Sequence, residues 1–352
     1  MKSSHCIQVG LLALGVTLTT SSAVSQLLVD TVPVGQYPQA VAINNVTNRI
    51  YVANGDGTAT VIDGVSDSTA TVIVGQGPSD IAVNPVTDKV YVANQVDSTV
   101  TVIDGATRST TTVNVGRTPR KISINSVTNK IYITNYGDNT VTVIDGATNG
   151  TSTVPVGISP NALALNDVTN KVYVANQFGG TVTEIDGATN STSTVPVGTD
   201  PFFVAVSRVN NRVYVANPVD ATVTVIDGGT NSTTTVNVGG NPVYVQVNEL
   251  TNKAYVADLS GLTVIDGVTL STSTIPLGSG SAAVAVEPRA NRLYTLANNG
   301  VTVVQAMTYS LVIISVGQSP VALAINPVTK RCYVVNNISS NVSVILGIYK
   351  RS

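Results

Sequence analysis

The stretch K-V-Y-V-A-N at 171–176, followed by T-V-T-E-I-D-G at 181–187, decides the reading of this chain because near copies of it recur along the whole length. The copies are marked by Tyr51, Tyr91, Tyr132, Tyr173, Tyr214, Tyr255, Tyr294 and Tyr333, spaced 39 to 41 residues apart. Such a period belongs to one small unit repeated, not to a series of unrelated domains.

The copy at 74–116 shows what the unit is. Apolar and β-branched runs at 81–84, 89–94, 99–104 and 111–115 are separated by N-P-V-T-D, Q-V-D-S and G-A-T-R-S-T, and Gly116 and Pro119 precede the next run. These are four short strands, a to d, with turn chemistry between them. The strands are apolar on both faces: in the first copy Ala40 and Ala42 alternate with Val41 and Ile43. A four-stranded antiparallel meander covered on both sides is a propeller blade between two like blades; a solenoid would need end repeats that differ from the interior.

The termini predict that the ring closes. Only a strand d, 28–34, precedes the first strand a, and the last copy stops at a strand c, 341–346, so each end holds what the other lacks. Glycines at 35, 75, 116, 157, 198, 239, 278 and 317 close strand d in every copy. The fold class expected is all-β: a β-propeller of eight four-stranded blades in which the N-terminal strand completes the C-terminal blade and removes two exposed edges. Aligning Asn94 with Thr99 sets Lys89 opposite Asp104, and likewise Lys130 opposite Asp145, Lys171 opposite Asp186 and Arg212 opposite Asp227. These are expected to be cross-strand ion pairs.

The tetrapeptide Y-V-A-N at 51–54, 91–94, 173–176 and 214–217, with Y-I-T-N at 132–135, resembles the YVTN family of β-propeller repeats, which includes surface-layer propellers and YncE-like exported propellers. The resemblance spans nearly all of 26–347 and implies the fold, with seven blades as the alternative count. It implies no single activity, since propellers host many functions.

Residues 1–25 read as a secretory signal: Lys2, an apolar run at 7–18 and small residues Ala23 and Ser25. The run is too short to span a bilayer, so after cleavage a soluble single propeller domain, 26–352, is expected in the periplasm, at the cell surface or in the medium. Beyond residue 25 there remain 17 Lys+Arg against 20 Asp+Glu, no His and only Cys332. A mild negative charge supplies no global field for nucleic acid or acidic membranes. Without His, neither Ser-His-Asp nor Cys-His machinery can be built, and no cofactor is expected. Cys332 stands where Val90 stands in another copy, a buried strand position.

Two residue sets remain as site candidates. Asp56, Asp97, Asp138 and Asp220 lie in b–c loops and are weak candidates for a calcium ring, each also suiting a turn. The stronger signal is what differs between copies. Once the repeat tyrosines are removed, Phe178, Phe202, Phe203, Tyr37, Tyr136 and Tyr244 all fall in or beside d–a and b–c loops, with an unpaired basic cluster of Arg117, Arg120 and Lys121. Those loops share one end of the ring, whose aromatic and basic arc is a candidate contact surface or a filled funnel. The opposite end, with nearly invariant turns, reads as scaffold. The leading expectation is a non-catalytic binding or scaffold propeller for a protein or cell-surface polymer. Single-stranded nucleic acid stacked on the aromatics is an alternative that the YncE-like resemblance favours. A lactonase-like hydrolase using Asp97 and Asp138 is another, although none of that group's site motifs is matched.

Overall fold

The computed structural model describes residues 26–297 and 300–347; the expected export signal lies outside them. Thirty-two strands, β1 to β32 in chain order, form eight four-stranded antiparallel sheets. Seven sheets are consecutive meanders. The eighth is ordered β1, β32, β31, β30, so β1 (Gln26–Pro33) is the outer strand of the blade formed by β30 (Pro320–Ile325), β31 (Arg331–Asn336) and β32 (Asn341–Gly347). The chain is an eight-bladed β-propeller closed by its N-terminal strand. No described helix is long and apolar enough to cross a membrane.

In the second blade the strands are Pro78–Asn84, Lys89–Asn94, Thr99–Asp104 and Thr110–Asn114. The middle two match the sequence reading, whereas the inner strand starts at Pro78 and not at residue 81. The cause is a β-bulge: pairing shifts between Pro78↔Asn94 and Asp80↔Ala93, which carries a loop-like P-S-D into the strand. Blades 1, 3, 4 and 8 repeat the shift.

Every repeat tyrosine is at most 1% exposed, and each faces the following blade. Tyr51 packs with Val90, Val92 and Ile103, and Tyr333 packs with Ile50, Val52 and Ile62 across the closure. The core is thus eight interblade seams. Burying an aromatic removes about 150–250 Å² from water, so the tyrosine is the main apolar contribution at each seam.

The Asn of Y-V-A-N locks the outer end of the b–c hairpin. Asn94 Nδ2 donates to Thr99 Oγ1 at 3.0 Å and Thr101 Oγ1 at 2.9 Å, and the Gly75 amide donates to the same Thr101 oxygen at 3.3 Å. A Cβ on Gly75 would lie 2.7 Å from Asn94 Cγ, and Gly35, Gly116, Gly157, Gly198 and Gly317 meet the corresponding Asn in the same way, whereas Gly239 and Gly278 have open space and a positive φ of 80° and 77°.

The expected ion pairs are corrected. Lys89 does align with Asp104, but its Nζ donates to the Gly146 carbonyl of the next blade at 2.7 Å. Lys130 reaches Gly187 O at 2.6 Å, and Arg331 reaches Gly64 O at 3.2 Å across the ring closure. Asp104 is already engaged by its own turn, accepting from the Ala106 and Thr107 amides and Thr107 Oγ1. The cation therefore satisfies a neighbouring carbonyl and clasps blade to blade. Cys332 is fully buried, as expected.

Candidate functional site at the channel mouth

A bulge opens the inner strand in blades 1 to 4, whereas in blades 5 and 6 the strand starts without one at Phe203 and Tyr244; in all six the position after the opening proline lines the channel mouth. The residue after the opening proline is Gln39, Ser79, Arg120, Asn161, Phe202 and Val243 in blades 1 to 6. All six line one concave opening of about 700 Å³ at the d–a/b–c end. Bulges such as those of blades 1 to 4 commonly re-aim side chains in this way. The repeat thus supplies a fixed position and varies its chemistry from blade to blade.

Of the aromatic and basic candidates, Tyr37, Arg120, Lys121, Phe202, Phe203 and Tyr244 line this bowl. Tyr136 and Phe178 join it indirectly. The Arg120 guanidinium carbon lies 3.7 Å from the centroid of the Tyr136 ring, and the Tyr136 and Phe178 rings meet edge to face, 6.4 Å apart at 69°. On its other side Arg120 Nη1 donates to Asn161 Oδ1 at 2.6 Å, and Asn161 Nδ2 donates to the Phe202 carbonyl at 2.8 Å. A continuous chain of contacts runs from Phe178 to Phe202. Phe203 and Tyr244 stack at 4.0 Å with a 31° tilt. Burial, with a smaller contribution from Asp80, pushes the Tyr244 phenol up to about 12, so it stays protonated.

The basic cluster is not unpaired, and this is a correction. Arg117 is bound to Asp138, Nε to Oδ1 at 2.5 Å, and stands outside the bowl. Lys121 Nζ lies 3.5 Å from Asp80 Oδ1. Arg120 alone of the three has no carboxylate partner among the described residues. Phe202 (37% exposed), Tyr37 (59%) and Phe178 (67%) present aromatic surface to solvent.

Tyr37 adopts φ 51°, where the second blade has Gly77 at φ 65°. A non-glycine residue there costs about 1–2 kcal/mol. The Tyr37 carbonyl accepts from Gly55 N at 2.9 Å, which holds the loop in place.

Asp56, Asp97, Asp138 and Asp220 do not assemble a calcium ring. Each accepts the amide of a d–a loop residue: Gln36, Gln76, Arg117 and Thr199, at 2.7, 2.7, 2.6 and 2.6 Å. They are clasps between the two loops of the mouth. The Arg117 amide, and then its side chain, hold the Asp138 carboxyl below the usual range. Among the described residues no three His, Cys, Asp or Glu side chains gather as metal ligands would.

The sequence reading missed Gln39, Ser79, Asp80 and Asn161, although aligning the position after each opening proline singles out three of them. It also took the opposite end for scaffold alone. That end holds a larger cavity of about 1050 Å³ lined by Arg208, Glu249, Arg289 and Lys330 beside aliphatic residues.

No family model and no curated sequence matches the chain. Among solved structures it is similar to Kuenenia stuttgartiensis hydrazine synthase, with a TM-score of 0.63 and 18% identity over 88% of this chain and 95% of that chain. At that identity the likeness is one of fold, the β-propeller.

Proposed function

We propose that the chain is an exported, non-catalytic binding propeller that holds a protein segment or a cell-surface polymer in the bowl between Tyr37, Arg120 and Phe202. One observation carries the reading: exposed aromatic faces surround a concave opening with a single cation that lacks a carboxylate partner. Aromatic faces contact rings and apolar edges, and amides such as Gln39 and Asn161 supply hydrogen bonds that set orientation. The signal-like residues 1–25 support export, and the lack of His beyond residue 5 supports a non-catalytic role. The likeness to hydrazine synthase is one of fold and brings no residue of that enzyme to this site.

Single-stranded nucleic acid is the second reading, favoured by the Arg120–Tyr136–Phe178 chain of cation and rings. Ion pairing of Arg117 and Lys121 weighs against it, as does Asp80 beside the bowl. With Arg120 the one bowl cation that lacks a carboxylate partner among the described residues, the salt slope should be shallow, about 0.7 per neutralised phosphate. The lactonase-like alternative loses its support, because Asp97 and Asp138 each engage a separate loop amide.

Titrating the protein with peptidoglycan fragments and with oligothymidylate, at low and at high salt, tests the proposal. Saturable, salt-tolerant binding of the polymer supports it. Binding confined to oligothymidylate and abolished by salt would replace it with the nucleic-acid reading.

A further inference from the structure

The channel also opens at the other end of the ring, and that mouth is built differently. Its wall on blades 5 to 8 is aliphatic, with Val206, Val247, Val286 and Ile325 facing a space of about 1050 Å³. Phe203 lines this space and the opposite bowl as well, so the stack with Tyr244 stands between the two mouths. Aliphatic side chains and the Phe203 ring form the apolar part of its lining.

Its rim breaks the repeat in one place. In seven blades the a–b turn exposes a Val or Leu, from Leu250 at 67% to Val127 at 78%. In blade 7 the corresponding residue is Arg289, which is exposed and forms no hydrogen bond or ion pair among the described residues. The other charges at the rim are committed. Arg208 binds Glu249 at 2.7 Å and Asp167 at 3.3 Å. Lys330 Nζ donates to the Pro327 carbonyl at 2.6 Å and lies 3.9 Å from Glu287, which is buried beside Arg292. The one charge at this mouth with no counter-charge is positive, and it stands over an aliphatic wall.

We propose that this mouth is a second binding site, for a single-chain amphiphile with one carboxylate head. The tail lies along Val247, Val286 and Ile325 toward Phe203, and the head meets Arg289. Glu249 and Glu287 near the rim disfavour a polyanion, because like charges in proximity oppose binding. A neutral chain leaves Arg289 without a counter-charge. Each additional buried methylene should tighten binding about fourfold. The site shares Phe203 with the bowl at the other end and none of its other lining residues.

Calorimetric titration of the full chain tests this, with sodium octanoate, sodium decanoate, decan-1-ol and decyltrimethylammonium below their micelle concentrations. Decanoate is expected to bind one to one and about tenfold or more tighter than octanoate. Arg289→Glu and Arg289→Gln change an exposed, bond-free side chain, so both variants should melt as the parent does. Arg289→Glu is expected to weaken decanoate about tenfold or more while leaving decanol within about twofold. Arg120→Ala, at the opposite mouth, should leave decanoate binding unchanged. No decanoate binding, equal binding by Arg289→Glu, or decyltrimethylammonium binding as tightly as decanoate would overturn the proposal.

Discussion

The guanidinium of Arg120 is held between two neighbours: the Tyr136 ring, 3.7 Å from its central carbon, and Asn161 Oδ1, 2.6 Å from Nη1. A long side chain that would otherwise sample solvent is fixed over the bowl. Tyr136→Leu removes the ring and leaves the hydrogen bond. It is expected to reduce stability by about 0.5–2 kcal/mol and to weaken ligand binding at the bowl, measured by denaturant unfolding and by titration. An unchanged affinity would show that the orientation of Arg120 does not matter.

Gly75 and Asn94 form a second tight relationship. Because a Cβ at residue 75 would sit 2.7 Å from Asn94 Cγ, Gly75→Ala should destabilise by about 1–3 kcal/mol. Asn94→Ala, which leaves Thr99 and Thr101 without their shared donor, should lose about 1–3 kcal/mol. Urea unfolding measures both. The double variant should lose less than the sum, since Asn94→Ala removes Cγ and Nδ2, the two nearest of the atoms that clash, and leaves only Cβ at 2.9 Å.

Ring closure rests on β1, where Val32 is 3% exposed and packs in the seam with Tyr333 and Ile50. Removing residues 26–34 exposes the edge of β32 and opens that seam. A lower melting temperature and concentration-dependent association are expected. A melt identical to that of the parent would mean that blade 8 is stable with three strands.

Stability should fall in acid, and the sign follows from the turn aspartates. Backbone amides of their own turns, with help from Ser or Thr hydroxyls, hold Asp63, Asp104, Asp145, Asp186, Asp227 and Asp266 below the ordinary carboxylate range. A carboxyl with a depressed folded value stabilises above its unfolded value of about 4 and loses that contribution as pH falls through the folded value. Asp67 has the opposite sense, raised by burial that outweighs Arg331. Unfolding midpoints should be nearly level from about pH 7 to pH 5 and decline below about pH 4. A midpoint that holds level into strong acid would remove these turns from the account.

The blade period, the b and c strand limits and the closure by the first strand were legible because turn residues and apolar runs are local signals. The bulge at Pro78 was not, since it depends on how two strands register. Ion partners were also hidden: Asp138 meets Arg117 because the b–c and d–a loops share an end of the ring, 21 residues apart in sequence. The same geometry gave Asp104 to its own turn and Lys89 to the neighbouring blade. At the opposite end the a–b turns are near-identical, and Arg289 replaces the Val or Leu of the other copies in blade 7.

Binding at the bowl by the parent and by an Arg120→Ala/Phe202→Ala variant, measured side by side on peptidoglycan fragments and at two salt concentrations, tests the central claim most directly. Loss of about tenfold or more in the variant, at an unchanged melting temperature and at both salts, is the expected result. Equal binding by the two proteins would contradict the placement of the site at Tyr37, Arg120 and Phe202.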